Sequence, residues 1–193
     1  LAQRNSLLQE KQRLMDEASS VGNTWYGGSG ATGIWLVAAY AGRPPARHID
    51  VRTFGDDAPP SARGWLAYGE AELVAATDPP RAEARYHDAL VLGRSAANRF
   101  IEGVTLASLA AHQCKSGAHV VALATFREAI EHWLDAADHT HQSTTLRNFT
   151  VLLRALGLPV ETAQLVAGLN TRHVTTYGSE LADLQTIERW LDD

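Results

Sequence analysis

Gly28, Gly30 and Gly33 form a G-x-G-x-x-G run, and Asp50 stands 20 positions beyond Gly30. In a dinucleotide fold that pattern turns a buried strand tightly into a helix, which then holds pyrophosphate at its N-terminus, while the acid takes the ribose. The chemistry needs an apolar strand before the glycines. The residues in that place, Ser19 to Tyr26, contain no apolar run, and no strand–helix alternation follows. A phosphate loop of the ATPase type fails as well, because Ile34-Trp35 occupies the positions that require Lys and Ser/Thr. The default reading is therefore a Gly-rich helix packed closely on a neighbour, and nucleotide binding through Gly28–Gly33 is kept as the enzymatic rival.

His112, Cys114, His119, His132, His139 and His141 fall within 30 positions, which raises a metal. His112 and Cys114 are two apart on a helix, so they point to nearly opposite sides and cannot chelate together. His139 and His141 lie at a helix junction without a clear third ligand, and zinc sites show tighter paired spacing. The expectation is no metal, no cofactor, and histidines solvated at helix ends and loops. Cys114 sits on the apolar side of its helix and reads as a small core residue rather than a nucleophile. Glu128, Glu131 and Asp135 line one outer helix face, where Arg127–Glu131 and Glu128–His132 are ordinary i,i+4 pairs. No catalytic residue is expected.

Polar side chains on first helices remain: Arg99, Glu102, Thr105, Gln113, Thr144, Arg147 and Asn148. Arg99, Glu102, Arg147 and Asn148 are the candidate binding residues, because first helices of stacked pairs line a concave groove and Arg grips carboxylate or phosphate with two prongs.

The elements that must carry these residues read as successive helix pairs. Leu106 and Leu109-Ala110 share one face, Gly117 ends the helix, and Ala122, Phe126 and Ala129-Ile130 continue at four- and three-residue spacing. The pattern returns in Leu146, Phe149, Leu153, Gly157, Ala163 and Val166, and an earlier second helix carries Ala82, Tyr86 and Ala89-Leu90. Thr77, Gly117 and Gly157 are spaced by 40 residues. Asp78 caps a helix that begins at Pro79. A helix pair cannot bury its apolar face alone, so repetition implies stacking. The fold class is all-α: a right-handed α-solenoid of stacked antiparallel helix pairs over residues 1–193. Its parts are an irregular 1–58, repeats 59–97, 98–137 and 138–170, and a C-terminal helix over 179–192. Further helices are expected over 3–20 and, irregularly, 46–54.

The spacing large-x2-large-small, Gly at the turn, then Ala-x3-Phe-x2-Ala-large resembles the tetratricopeptide repeat. At 40 residues the period exceeds the usual 34 or so, so each helix should overrun the minimal unit by about a turn. Phe126 to Trp133, with Thr144 to Asn148, Trp65 to Glu72 and Asn98 to Gly103, is similar to the C-terminal repeat region of large actinobacterial signalling regulators. The resemblance covers Ser61 to Asn170. It implies a parent with a STAND-type ATPase module, in some cases a nucleotide-cyclase domain, and in others a LuxR-type DNA-binding domain.

Bulk numbers narrow the rest. At 45% hydrophobic and 20% charged, 193 residues suffice for a globular core, and a net charge of −5 leaves no electrostatic footprint for nucleic acid. One cysteine excludes an internal disulfide and fits a reducing cytoplasm. No apolar run approaches the roughly 20 residues that span a bilayer. The chain opens on Leu1 without Met and reads as a piece of a longer protein. The expected function is a non-catalytic interaction or sensor module that takes a protein or small effector and regulates an attached ATPase or DNA-binding domain. A self-associating domain is the third reading.

Overall fold

The computed structural model of the chain describes residues 58–170, together with Ile187 and residues 189–191. Six helices run through the first span: α1 (Pro60–Val74), α2 (Pro79–Ser95), α3 (Arg99–Lys115), α4 (His119–Asp135), α5 (His139–Ala155) and α6 (Pro159–Asn170). No strand occurs among the described residues. Consecutive helices pack on one another. No described helix is long and apolar enough to cross a membrane. The expected helices over 3–20 and 46–54, the Gly-rich helix with its glycine run, and Asp50 lie outside the described residues. So does most of the C-terminal helix, of which Ile187 is helical and buried.

The period is set at the turns. Ala97, Gly117, Ala137 and Gly157 all take positive φ, at 50°, 81°, 53° and 68°. Each closes its helix in the same way. The Asn98 amide donates to the Gly93 carbonyl and the Ala97 amide to Arg94, and the pairs at 117–118, 137–138 and 157–158 repeat this bonding. These are Schellman closures, which satisfy carbonyls that the helix end leaves open. They recur every 20 residues, half the period visible in the glycines, and α2 to α5 are each 17 residues long. The first turn differs: the amides of Thr77 and Asp78 both donate to the Val74 carbonyl, and Thr77 does not enter the left-handed region, where a β-branched residue is strained.

Helix starts follow the same 20-residue beat. The carboxylate of Asp78 accepts from the Arg81 amide, the Asn98 side-chain carbonyl from Ile101, and the Asp138 carboxylate from His141, at 3.3, 3.1 and 3.1 Å. Asp78 thus caps α2 as its sequence predicts, with Pro79 and Pro80 at the first positions, where a missing N–H is harmless. Ala118 gives α4 no side-chain cap.

Burial separates the two kinds of helix. The second helix of each pair buries one narrow stripe: Ala82, Tyr86, Ala89 and Gly93 in α2; Ala122, Phe126, Ala129 and Trp133 in α4; Thr162, Val166 and Leu169 in α6. Ala163 is exposed, so the stripe of α6 runs one residue earlier than its sequence suggests. The Thr162 hydroxyl makes this tolerable by donating to the Leu158 carbonyl at 2.7 Å. First helices are buried more widely. In α5 the buried positions include Ser143, Thr145 and Thr150, whose hydroxyls donate to the carbonyls of His139, His141 and Arg147. That back-bonding lets a polar sequence occupy a widely buried helix.

Contacts divide the chain into two compact units, residues 1–101 and 102–193. In the first, Gly64 lies against Leu92 and Ile101, Trp65 packs against Phe100, and Tyr68 against Tyr86. In the second, Ala110, Cys114, Ala122, Phe126 and Leu152 form the core, flanked by Phe149. The Phe126 and Phe149 rings meet edge to face at 5.4 Å.

Candidate functional site

The four candidate binding residues occupy different environments. Arg99 is exposed at the start of α3, Glu102 and Asn148 are half-buried, and Arg147 is buried within α5. Of the other polar residues expected to face a groove, Thr105 and Gln113 are buried. The Gln113 side-chain carbonyl accepts from the Thr125 hydroxyl at 2.8 Å, which ties α3 to α4. The Thr105 hydroxyl has no hydrogen-bond partner among the described residues. First helices are buried over more of their surface than second helices, so a polar residue on them can be enclosed rather than presented.

Around Glu102 the second unit assembles a polar and aromatic cluster. His132 Nδ1 is 4.0 Å from a Glu102 carboxylate oxygen. The Trp133 indole lies over Gly103, where an added Cβ would come within 2.3 Å of the ring. His141 stacks on the same indole at 4.9 Å, and its Nδ1 is 2.8 Å from Asp138. Partial burial would raise the Asp138 carboxyl, but the His141 amide and ring outweigh it and hold the carboxyl below its usual range. Sequence spacing alone did not show that Trp133 lies against both His132 and His141. The only sequence sign was a glycine opposite a tryptophan.

The histidines are not uniformly solvated: His112 is buried in α3. Among the described residues, no three His, Cys, Asp or Glu side chains are grouped to hold a metal ion. Cys114 is buried in the core, as its position on the apolar face predicts, and burial pushes its thiol upward against the opposing effect of Lys115. A thiolate is therefore disfavoured there. Glu128, Glu131 and Asp135 are exposed, and Arg127 meets Glu131 at 2.9 Å as an i,i+4 surface pair.

The first unit contains a groove of ≈ 410 Å³ between α1 and α2, lined by Arg63, Leu66, Ala67, Glu70, Arg85, Asp88, Val91 and Leu92. The Glu70 carboxylate is nearly enclosed, with 11% of its side chain exposed, and takes Arg81 on one oxygen and Arg85 on the other. Arg85 also reaches Asp88 at 2.8 Å. Deeper in the pair, the Tyr86 hydroxyl donates to Glu72 at 2.8 Å, and burial with that carboxylate raises the phenol far above its usual value. Neither the groove nor its charge network was legible from helical spacing.

Comparison with protein-family models, with curated proteins and with solved structures finds no match to this chain.

Proposed function

We propose that the chain is a non-catalytic, tetratricopeptide-like helical-repeat module, a right-handed solenoid that senses a protein or small effector and regulates an attached ATPase or LuxR-type DNA-binding domain. The observation that carries this reading is the left-handed residue at Ala97, Gly117, Ala137 and Gly157, each closing its helix with the same hydrogen bonds. A fixed 20-residue beat supports a repeat architecture, and repeat stacks serve chiefly as recognition surfaces. The sequence resemblance supplies the regulatory context.

The groove-facing residues give the test. Arg99 is exposed and Asn148 half-buried, so Arg99→Ala and Asn148→Ala should leave far-UV circular dichroism unchanged. In the parent protein, each should impair the effector response of ATP hydrolysis or transcription. Unchanged regulation in both folded variants would remove the concave-groove reading. Arg147 is a poorer probe, because its burial mixes packing with recognition.

The rival nucleotide reading has its own test. Calorimetric titration of the chain with NAD and ATP should show no saturable binding. A micromolar site abolished by Gly30→Val would replace the proposal with a nucleotide-binding function.

A further inference from the structure

The α1–α2 groove has a lining that the repeat does not require. The 40-residue period aligns Leu66 and Ala67 with Leu106 and Ala107 in the next pair, but Val91 and Leu92 with Glu131 and His132, so half of the apolar lining is shared. The charges are not. Arg63, Glu70 and Arg85 correspond to Gly103, Ala110 and Thr125, and Asp88 alone keeps its sign in Glu128. A helix pair closes without a charged set here, so packing does not account for it.

Within this set the charges are unequally engaged. Both Glu70 oxygens are taken by Arg81 and Arg85, and Asp88 is taken by Arg85. Among the described residues, the exposed Arg63 guanidinium meets no carboxylate at ion-pair distance. It lines the groove together with Leu66, Ala67 and Leu92 and with Val91, which is 67% exposed. The volume falls within the range of small-ligand sites, and of the four charged residues among the eight that line it, Arg63 alone stands outside the Glu70–Arg85–Asp88 network.

We propose that this groove binds a small aliphatic carboxylate, its tail on Leu66, Ala67, Leu92 and Val91 and its head group on Arg63. A guanidinium offers two parallel N–H donors that match a carboxylate. A cation at the head-group end would face Arg63, and each lining carboxylate already holds an arginine. A neutral head group would forfeit the charge-assisted bonds. The inference goes beyond the proposed regulatory role: the groove binds a carboxylate or fails to, whatever the module regulates.

The test is calorimetric titration of the chain with octanoate, octan-1-ol and octylamine at low ionic strength. Octanoate should bind saturably at one site, with octan-1-ol about tenfold weaker or worse and octylamine undetectable. Arg63→Gln should weaken octanoate about tenfold or more, Arg63→Lys less, and Arg127→Gln not at all. Arg63 is exposed, so circular dichroism should be unchanged in its variants. Absence of saturable octanoate binding, equal binding of the alcohol, or full affinity in a folded Arg63→Gln protein would each overturn the proposal.

Discussion

At the scale of single residues, the turns hold strain that a substitution can release. Ala97 and Ala137 adopt φ of 50° and 53°, a region that Gly117 and Gly157 enter without a Cβ. A left-handed L-residue costs about 1–2 kcal/mol, whereas the extra freedom of an unfolded glycine returns about 0.4–1 kcal/mol of that. Ala137→Gly should therefore stabilise the protein, by on the order of 0.5–1 kcal/mol, as read from its urea midpoint. Destabilisation would mean that the Ala137 methyl makes contacts that outweigh its backbone strain. Asp138, one residue on, gives a pH-dependent counterpart. Its carboxyl lies below its usual value because His141 holds the charged form. A depressed carboxyl stabilises the fold above its unfolded value of about 4, and that contribution is lost as pH falls through the lower folded value. Asp138→Asn keeps a capping side chain but removes the charge. The side chain is a third exposed, so solvent screening limits the effect to under about 1 kcal/mol at pH 7. The gap between the two proteins should narrow as pH falls below the unfolded carboxyl value of about 4 and close once the folded carboxyl is protonated. A gap that persists there would assign the effect to cap geometry rather than charge. These turns also mark a limit of sequence reading. Glycine announces a left-handed position, so Gly117 and Gly157 were legible; the boundaries at 97/98 and 137/138 were read as well, but alanine carries no such mark, and the left-handed backbone of Ala97 and Ala137 emerged only with the structure.

At the scale of the helix, one stripe per second helix carries the packing. Phe126 is fully buried, between small residues that let α3 and α4 approach and the ring of Phe149. Phe126→Ala should cost about 3–5 kcal/mol, since little around it can collapse into the space. Glu128, two residues along and exposed, should cost under about 0.5 kcal/mol as alanine. Equal denaturation midpoints would mean that the stripe does not hold α4 in place. The stripes of α2 and α4 were legible because large and small residues alternate there at helical spacing. In α6 the reading slipped by one residue. Its inward position is Thr162, whose polarity disguises it, and the neighbouring Ala163 looks the better core residue until the Thr162–Leu158 bond is seen. The polar positions of the first helices failed for a related reason. Arg147, Thr105 and Gln113 are enclosed, and helical spacing alone cannot distinguish a polar residue that faces a groove from one covered by the next helix.

For the whole molecule, the contacts described here join helices that are near neighbours in sequence. Chains built this way distribute stability along their length, with each segment answering mainly to the next. The division into residues 1–101 and 102–193 gives that idea a boundary to test. Phe126 and Tyr86 occupy corresponding stripe positions 40 residues apart, one in each unit, and both are buried. A lesion at Phe126 removes packing among Ala110, Cys114, Ala122 and Leu152, all in the second unit. Native-state hydrogen exchange read by mass spectrometry should then show faster exchange across α4 and α5 in Phe126→Ala. The amides of α1 and α2 should change much less. Tyr86→Ala, which also removes the Glu72 hydrogen bond, should give the reverse pattern. If either substitution accelerated exchange uniformly from α1 to α6, the helices would form one cooperative block. The proposed regulation would then be all-or-none, and not passed from one pair to the next.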